Sequence, residues 1–89
     1  MHTVQEKKKL LSRVRRIRGQ IEAVERALEA ERGCYDVLTL VAAVRGAVDG
    51  LVAELIADHV RVHVLSAQAS QAQRDAAEEL LDVVRTYVR

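Results

Sequence analysis

The chain of 89 residues has no proline, tryptophan or phenylalanine, and only two tyrosines, one cysteine and four glycines. Because proline and glycine are the residues that most often interrupt helices, their scarcity favours a fold that is helical nearly throughout. No apolar run approaches the roughly 18 residues that a membrane-spanning helix needs, which argues against a membrane protein. One cysteine cannot form a disulfide framework within the chain, and the first residues resemble no secretion signal, so we expect a cytoplasmic location.

The scarcity of aromatic residues also limits the core. Hydrophobic residues make up 49% of the chain, but almost all of them are Leu, Val, Ile and Ala. A monomer of this size with so few large apolar side chains buries little apolar surface and is only marginally stable. We therefore expect the chain to form oligomers that enlarge the buried core.

Apolar residues recur at alternating spacings of three and four along two long segments, which is the pattern of helices that pack side by side. The first segment is expected to begin near Val4 and to end at Gly33 in a left-handed conformation. The second is expected to begin near Cys34–Asp36 and to continue past His59. The repeated residues are Leu10, Val14, Ile17, Ile21, Val24 and Leu28 in the first segment and Val37, Val41, Val44, Val48, Leu51 and Leu55 in the second.

A shorter third helix is expected after a polar turn over Leu65–Ser70. Ser70 and Gln73 have the spacing of a capping box. The residues that this helix is expected to bury are Ala77, Leu80, Val84 and Tyr87. Two long helices joined by a short turn lie antiparallel, so the sequence predicts one all-α domain over residues 1–89. Two such hairpins can cover their apolar stripes by pairing into a four-helix bundle, and the third helices can then join two dimers into a dimer of dimers.

The net charge of +1 conceals a basic patch at the start of the chain. Residues 1–18 contain seven basic side chains and one glutamate, a net charge of +6. On a helix, Arg13 and Arg16 lie on one row about 100° from the apolar stripe, with Arg15 further round. Because arginine pairs with phosphate through its guanidinium fork, such a row can follow the backbone of a DNA duplex, although the segment has no standard DNA-binding motif. The alternative is a solvated helix end that only keeps an assembly module soluble.

Four side chains can act as ligands for a transition metal, namely His2, Cys34, His59 and His63. His59 and His63 are four residues apart, so a helix places both imidazoles on one face, where they can chelate one ion. Pairs of histidines at this spacing also occur on helix surfaces that bind nothing. Cys34 and His59 are separated by 25 residues of one helix, or about 37 Å, and cannot share an ion within one chain.

An antiparallel dimer of hairpins removes this separation. The start of the second helix in one protomer then lies beside the end of that helix in the other, which brings Cys34 to the partner's His59 and the partner's His63. The hairpin also returns His2 to the His59 end of its own chain, so all four candidates converge at the dimer interface. The motif lacks the glutamate that metalloproteases place after the first histidine as a general base, so a binding site is favoured over an enzyme.

The segment Arg13–Gln20, of sequence RVRRIRGQ, together with Cys34, the Ala42–Ala47 motif and the His59 region, resembles the CsoR/RcnR family of bacterial transcriptional repressors. The likeness covers nearly the whole chain. It implies an all-helical homotetramer, built as a dimer of dimers, that binds double-stranded operator DNA and releases it when an effector binds. The DNA contacts that it implies are made by Arg13, Arg16 and Arg18, with Arg15 adjacent. Arg45 lies in the Ala42–Ala47 motif and either contacts DNA or joins helices.

Within this family, one N-terminal residue, the cysteine and two positions of the second helix determine the effector, and here they are His2, Cys34, His59 and His63. This set resembles that of the nickel and cobalt sensors, and three imidazoles with one thiolate suit borderline divalent ions. Copper sensors of the family carry a second cysteine where this chain has His63, and formaldehyde sensors depend on an N-terminal proline. The resemblance therefore implies Ni(II) or Co(II) as the effector, with Cu(I), Zn(II) and formaldehyde as alternatives.

Together these features predict a repressor whose metal-free tetramer holds DNA by its arginine face. A metal that joins Cys34 of one protomer to the histidine ligands of its partner is expected to draw the N-terminal arm inward and to move the arginine row away from the phosphates. Metal binding and DNA binding then lower each other's affinity by the same factor. A helical assembly module and a metal buffer are the rival interpretations, and neither of them binds DNA.

Overall fold

The computed structural model describes residues 4–65 and 68–87, apart from the side chains of His63, Val64 and Tyr87. Within these ranges the chain forms three α-helices and no strand, with α1 over Val4–Glu29, α2 over Cys34–His59 and α3 over Gln71–Tyr87. A π-helical turn over Val60–Val64 continues α2 directly. The predicted all-α fold is confirmed, and no helix in the described part of the chain combines the length and hydropathy needed to cross a membrane.

The turn between α1 and α2 differs from its prediction. The residue with a left-handed conformation is Glu31, with φ of 55°. The amide N–H groups of Glu31 and Arg32 donate, at 3.1 and 3.0 Å, to carbonyls in the last turn of α1, and these are the two hydrogen bonds of a Schellman motif. Gly33 has φ −58° and ψ 153°, an extended conformation that any residue adopts, and it precedes α2 as its N-cap. The prediction that Gly33 ends the first helix in a left-handed conformation is wrong.

The two long helices pack side by side and run antiparallel. Arg13, in the first half of α1, pairs with Glu54 near the end of α2. Gln20, two turns further along α1, lines a cleft with Ala43 and Ala47, which precede Glu54 in α2. Later residues of α1 therefore contact earlier residues of α2, and the predicted antiparallel hairpin is confirmed.

The hairpin covers only part of the predicted apolar stripes. Leu10 and Ile17 are buried, at 9% and 8% exposure. The alternate members of both stripes remain between 39% and 59% exposed, and we refer to these six residues as the open stripe: Val14, Ile21, Leu28, Val41, Val48 and Leu55. Residues seven apart return to nearly the same side of a helix, so each helix carries a continuous apolar strip that its own hairpin does not cover.

The third helix packs against the end of α2. Ala57 and Val60 form a buried cluster with Ala77 and Leu81 of α3, and Leu81 is only 1% exposed. The prediction that Leu80 is buried is wrong, because this side chain is 53% exposed in the protomer. Leu81 takes the inward position one residue later, since it lies one helical turn beyond Ala77 on the same face.

The start of α3 has the predicted cap. The Gln73 N–H donates to Ser70 Oγ at 3.1 Å, and the Ser70 N–H donates to Gln73 Oε1 at 2.7 Å, which together form a capping box. Of the other residues that the sequence predicts as buried in α3, Val84 is half-buried, and the side chain of Tyr87 lies outside the described residues. The cap fixes where α3 begins and therefore how its apolar face meets the end of α2.

Candidate functional site

The thiol of Cys34 is exposed at the first residue of α2. No side chain caps this end of the helix, so its free backbone N–H groups give the site a partial positive charge. Arg32 and Asp36 form an ion pair across the same turn, with Arg32 Nη2 3.2 Å from Asp36 Oδ2. An exposed thiol in this place is open to a metal ion or to a small electrophile.

His59 is the last residue of α2, and its side chain is exposed. In the π-helical turn that follows, the Leu65 N–H donates to the Val60 carbonyl at 2.9 Å, five residues back. A π-helical turn contains more residues than an α-helical turn, so the backbone positions 59 and 63 remain about one turn apart. The side chain of His63 and the whole of His2 lie outside the described residues.

One protomer does not bring Cys34 and His59 together. They occupy the first and the last position of a helix of 26 residues, so their backbones are about 37 Å apart. In the described part of the chain, no group of three His, Cys, Asp or Glu side chains is close enough to hold a metal ion. A site that contains both residues therefore requires two protomers.

The first helix presents a basic face to solvent. Arg15, Arg16 and Arg18 are exposed, as the sequence predicts for residues that contact DNA. Arg13 differs from them, because it is half-buried and its Nη2 lies 3.7 Å from Oε1 of Glu54 on α2. Three of the four predicted arginines are thus directly available to a ligand in solution, and the fourth already has an anionic partner.

A cleft of about 120 Å³ lies between the start of α1 and the end of α2. The charged residues in its walls are Glu6, Lys9, Arg13, Glu54, Asp58 and Arg61. Asp58 is only 8% exposed. The sequence reasoning missed Glu54 and Asp58. Their spacing of four residues, which matches that of Lys9 and Arg13 on the antiparallel helix, is the signal that could have found them.

The described residues thus form a small all-α protein with an exposed basic face on α1 and candidate metal ligands at both ends of α2. The model of a family described as "Metal-sensitive transcriptional repressor" matches residues 6–86. The chain belongs to this family, the CsoR/RcnR family, whose members are transcriptional regulators and not enzymes. The family identified from the sequence is confirmed.

Relatives cover nearly the whole chain. A Serratia marcescens protein described as an uncharacterized protein in the bioA 5′ region is 52% identical over 89 residues, which are 99% of this chain and 98% of the relative. The transcriptional repressor RcnR of Citrobacter koseri is 35% identical over 88 residues, with 99% and 98% covered. A solved structure of a variant of the formaldehyde-responsive regulator FrmR from Salmonella enterica serovar Typhimurium has a TM-score of 0.73 and 43% identity, and covers 98% of this chain and 99% of its own.

Proposed function

We propose that this chain is a repressor that holds operator DNA in its metal-free form and releases it when Ni(II) or Co(II) binds. One domain carries both activities. The observation that carries the proposal is the position of Cys34 and His59 at opposite ends of one helix, in a hairpin whose open stripe is uncovered. A second copy of the chain covers the stripe and closes the metal site at once.

The open stripe supplies the energy for this pairing. Its six side chains are each about half exposed, and burying the remaining half of a Val, Leu or Ile side chain contributes roughly 1 kcal/mol. The stripes of two protomers together are thus of the size needed to offset the roughly 4–15 kcal/mol that association costs. Pairing about a two-fold axis gives a four-helix bundle, and two such bundles give the tetramer.

The same two-fold pairing assembles the ligands. With the helices antiparallel, Cys34 of one protomer lies beside the partner's His59 and the partner's His63. Glu6 and Asp58 line one cleft, which shows that the start of α1 lies by the end of α2. His2 precedes Glu6 by four residues in the sequence, and the proposal therefore assigns it to the same end of the bundle. The proposed site thus combines His2, His59 and His63 of one chain with Cys34 of the other.

The chemistry of the donors supports a borderline divalent ion. Three imidazoles and one thiolate are softer than the oxygen ligands that select magnesium and harder than the paired thiolates that select Cu(I). The cysteine must bind as a thiolate and the histidines as neutral imidazoles, so metal affinity falls as the pH falls. Zn(II) suits the same donors, and the cell's metal supply then decides between these ions.

Formaldehyde is the second candidate effector. Two observations favour it: the 43% identity with a formaldehyde-responsive regulator over nearly the whole chain, and the exposed thiol of Cys34, which is a nucleophile. The absence of proline and the presence of His2 favour a metal instead.

Operator DNA is proposed to bind along α1. The exposed guanidinium groups of Arg15, Arg16 and Arg18 can each reach a phosphate, and Arg13 joins them when it leaves Glu54. Each phosphate that is neutralised releases counterions, so the affinity for DNA falls steeply as the salt concentration rises. An assembly module or a metal buffer shows no such salt-dependent binding.

Fluorescence anisotropy with DNA from the protein's own promoter region tests the function. The protein is bound at low salt, and Ni(II), Co(II), Zn(II), Cu(I) and formaldehyde are then added separately. We expect Ni(II) or Co(II) to release the DNA from the wild-type protein but not from Cys34→Ala. The control Thr39→Ala, which changes an exposed neighbour on α2, is expected to keep this release. Release only by formaldehyde or Cu(I) overturns the proposed effector, and no DNA binding at any salt concentration overturns the repressor.

Mixed oligomers test whether the site spans two chains. Cys34→Ala and His59→Ala chains with different tags are expressed together, and the mixed species are purified through both tags. Each single variant is expected to lose metal-triggered release of DNA. A mixed dimer regains one intact site, because one chain still supplies the thiol and the other the imidazole. If the mixed species stays unresponsive, the two residues do not act across the interface.

A further inference from the structure

Arg13 differs from the other arginines of the basic face in having an acidic partner on α2. Its Nη2 lies 3.7 Å from Glu54 Oε1, and the two side chains are 42% and 34% exposed. The ion pairs found among the described residues connect neither Arg15 nor Arg16 to α2. At 3.7 Å the contact is an ion pair without a hydrogen bond, so Glu54 partly neutralises the charge of Arg13 that would otherwise attract a DNA phosphate.

Gly50 provides the space for this contact. A Cβ atom at position 50 would lie 3.2 Å from Arg13 Nη1, which is closer than ordinary van der Waals contact, so the guanidinium lies directly over the backbone of α2. Gly46, one turn earlier in the same helix, has no such neighbour within 4 Å. Glycine lowers the stability of a helix at either position, but only at position 50 does its small size make room for Arg13 in the protomer.

We propose that Glu54 is an internal competitor for DNA, whose carboxylate stands in for a backbone phosphate and holds Arg13 over Gly50 in the DNA-free protein. DNA binding then exchanges one anion for another on Arg13, which lowers the affinity for DNA. The inference rests on the proposed DNA-binding function and deepens it, because it assigns a positioning role to Glu54 and to Gly50.

The surroundings of the pair favour exchange over a permanent bridge. Both side chains are partly exposed, and a partly exposed ion pair is weak enough for a phosphate to displace the carboxylate. Glu54 precedes His59 by five residues on the same helix. A ligand that shifts α2 relative to α1 therefore also shifts the competitor relative to Arg13.

Two chemically unlike variants test this role by fluorescence anisotropy with promoter-region DNA. Glu54→Gln removes the competing charge. It is expected to lower the Kd for DNA roughly two- to fivefold for each protomer that contacts DNA, which is the factor that the loss of one partly exposed ion pair produces. Gly50→Ala pushes the guanidinium away without changing any charge, and a smaller decrease in Kd is expected. The matched controls are Asp49→Asn, which removes a carboxylate from the same helix, and Gly46→Ala, which adds a methyl group where nothing lies nearby.

The gain in affinity must also depend on Arg13. In an Arg13→Gln background, Glu54→Gln and Gly50→Ala are expected to lower the Kd for DNA no more than their control variants do. With Arg13 present, Glu54→Gln is expected to steepen the dependence of Kd on salt, because one more arginine displaces counterions.

Three results would overturn the competitor role. The first is a gain that persists without Arg13, and the second is a gain no larger than that of Asp49→Asn, since the loss of any carboxylate then accounts for it. The third is an unchanged Kd in both variants while the wild-type protein binds DNA, which leaves the proposed repressor function intact. A wild-type protein that binds no DNA at low salt overturns the repressor function and the competitor role together.

Discussion

The proposed dimer, which would assemble the metal site, depends on the open stripe, and Ile21 lies in the middle of the α1 half of this stripe. This side chain is 52% exposed in the protomer. Truncating a fully buried isoleucine to alanine costs about 2–5 kcal/mol, so about half of that cost, roughly 1–2.5 kcal/mol, belongs to the dimer. A two-fold dimer contains the residue twice, so Ile21→Ala is expected to raise the dimer dissociation constant about 30-fold or more.

Sedimentation equilibrium over a range of protein concentrations measures this constant. Glu22→Ala is the matched control, because it changes the adjacent, exposed position outside the open stripe. Circular dichroism shows whether the hairpin keeps its helical content. A dissociation constant equal to that of the control, in a protein that is still helical, would refute the assignment of the open stripe to the dimer interface. The two-chain metal site would lose its basis with it.

Three further predictions concern the fold that supports the site. Leu81→Ala is expected to lower the free energy of unfolding, measured by urea denaturation, by about 2–5 kcal/mol. Leu80→Ala, at a half-exposed position, is expected to lower it clearly less. Equal effects of the two variants would contradict the packing of α3. Glu31→Gly is expected to raise the free energy of unfolding, measured by thermal denaturation, by about 0.5–1 kcal/mol, because glycine removes the strain of a side chain in the left-handed conformation. Glu25→Gly, in the middle of α1, is expected to lower it. Ser70→Ala removes the cap of α3 and is expected to cost about 1 kcal/mol; an unchanged melting curve would show that the cap is dispensable.

The hairpin could be predicted from the sequence, whereas the orientation of the third helix could not. The alternating spacing of apolar residues in α1 and α2 predicts one apolar side on each helix. The hairpin buries Leu10 and Ile17 on that side and leaves the open stripe exposed. In α3, apolar residues occur in adjacent pairs, so Leu80 and Leu81 both fit a buried face around Ala77. The contact with Ala57 of α2 and Val60 of the π-helical turn decides between them, and that contact is a property of the tertiary structure. The left-handed residue likewise depends on where the last hydrogen bonds of α1 form.

The basic face of the candidate site was accessible to sequence reasoning because it is a property of one helix. The angular row of arginines follows from helical geometry, and Arg16 of that row and Arg15 beside it are exposed; Arg18, which the family resemblance implies, is exposed as well. The half-buried position of Arg13 was not predicted, because it depends on Glu54 and Gly50 of the facing helix. The metal ligands remain a prediction, since their assembly involves two protomers and His2 lies outside the described residues.

The free energy of the Arg13–Glu54 ion pair suits a role in the proposed coupling between metal binding and DNA release. Moving a repressor from almost fully bound to almost fully released requires an effector that binds the released form about 10⁴-fold more tightly. Spread over the four equivalent sites of the proposed tetramer, this is about tenfold, or about 1.4 kcal/mol, for each site. An exposed ion pair contributes about 0.2–1 kcal/mol, so a shift of α2 that strengthens the hold of Glu54 on Arg13 supplies a substantial share of that coupling. No single strong interaction is needed, because the same small change is repeated in every protomer.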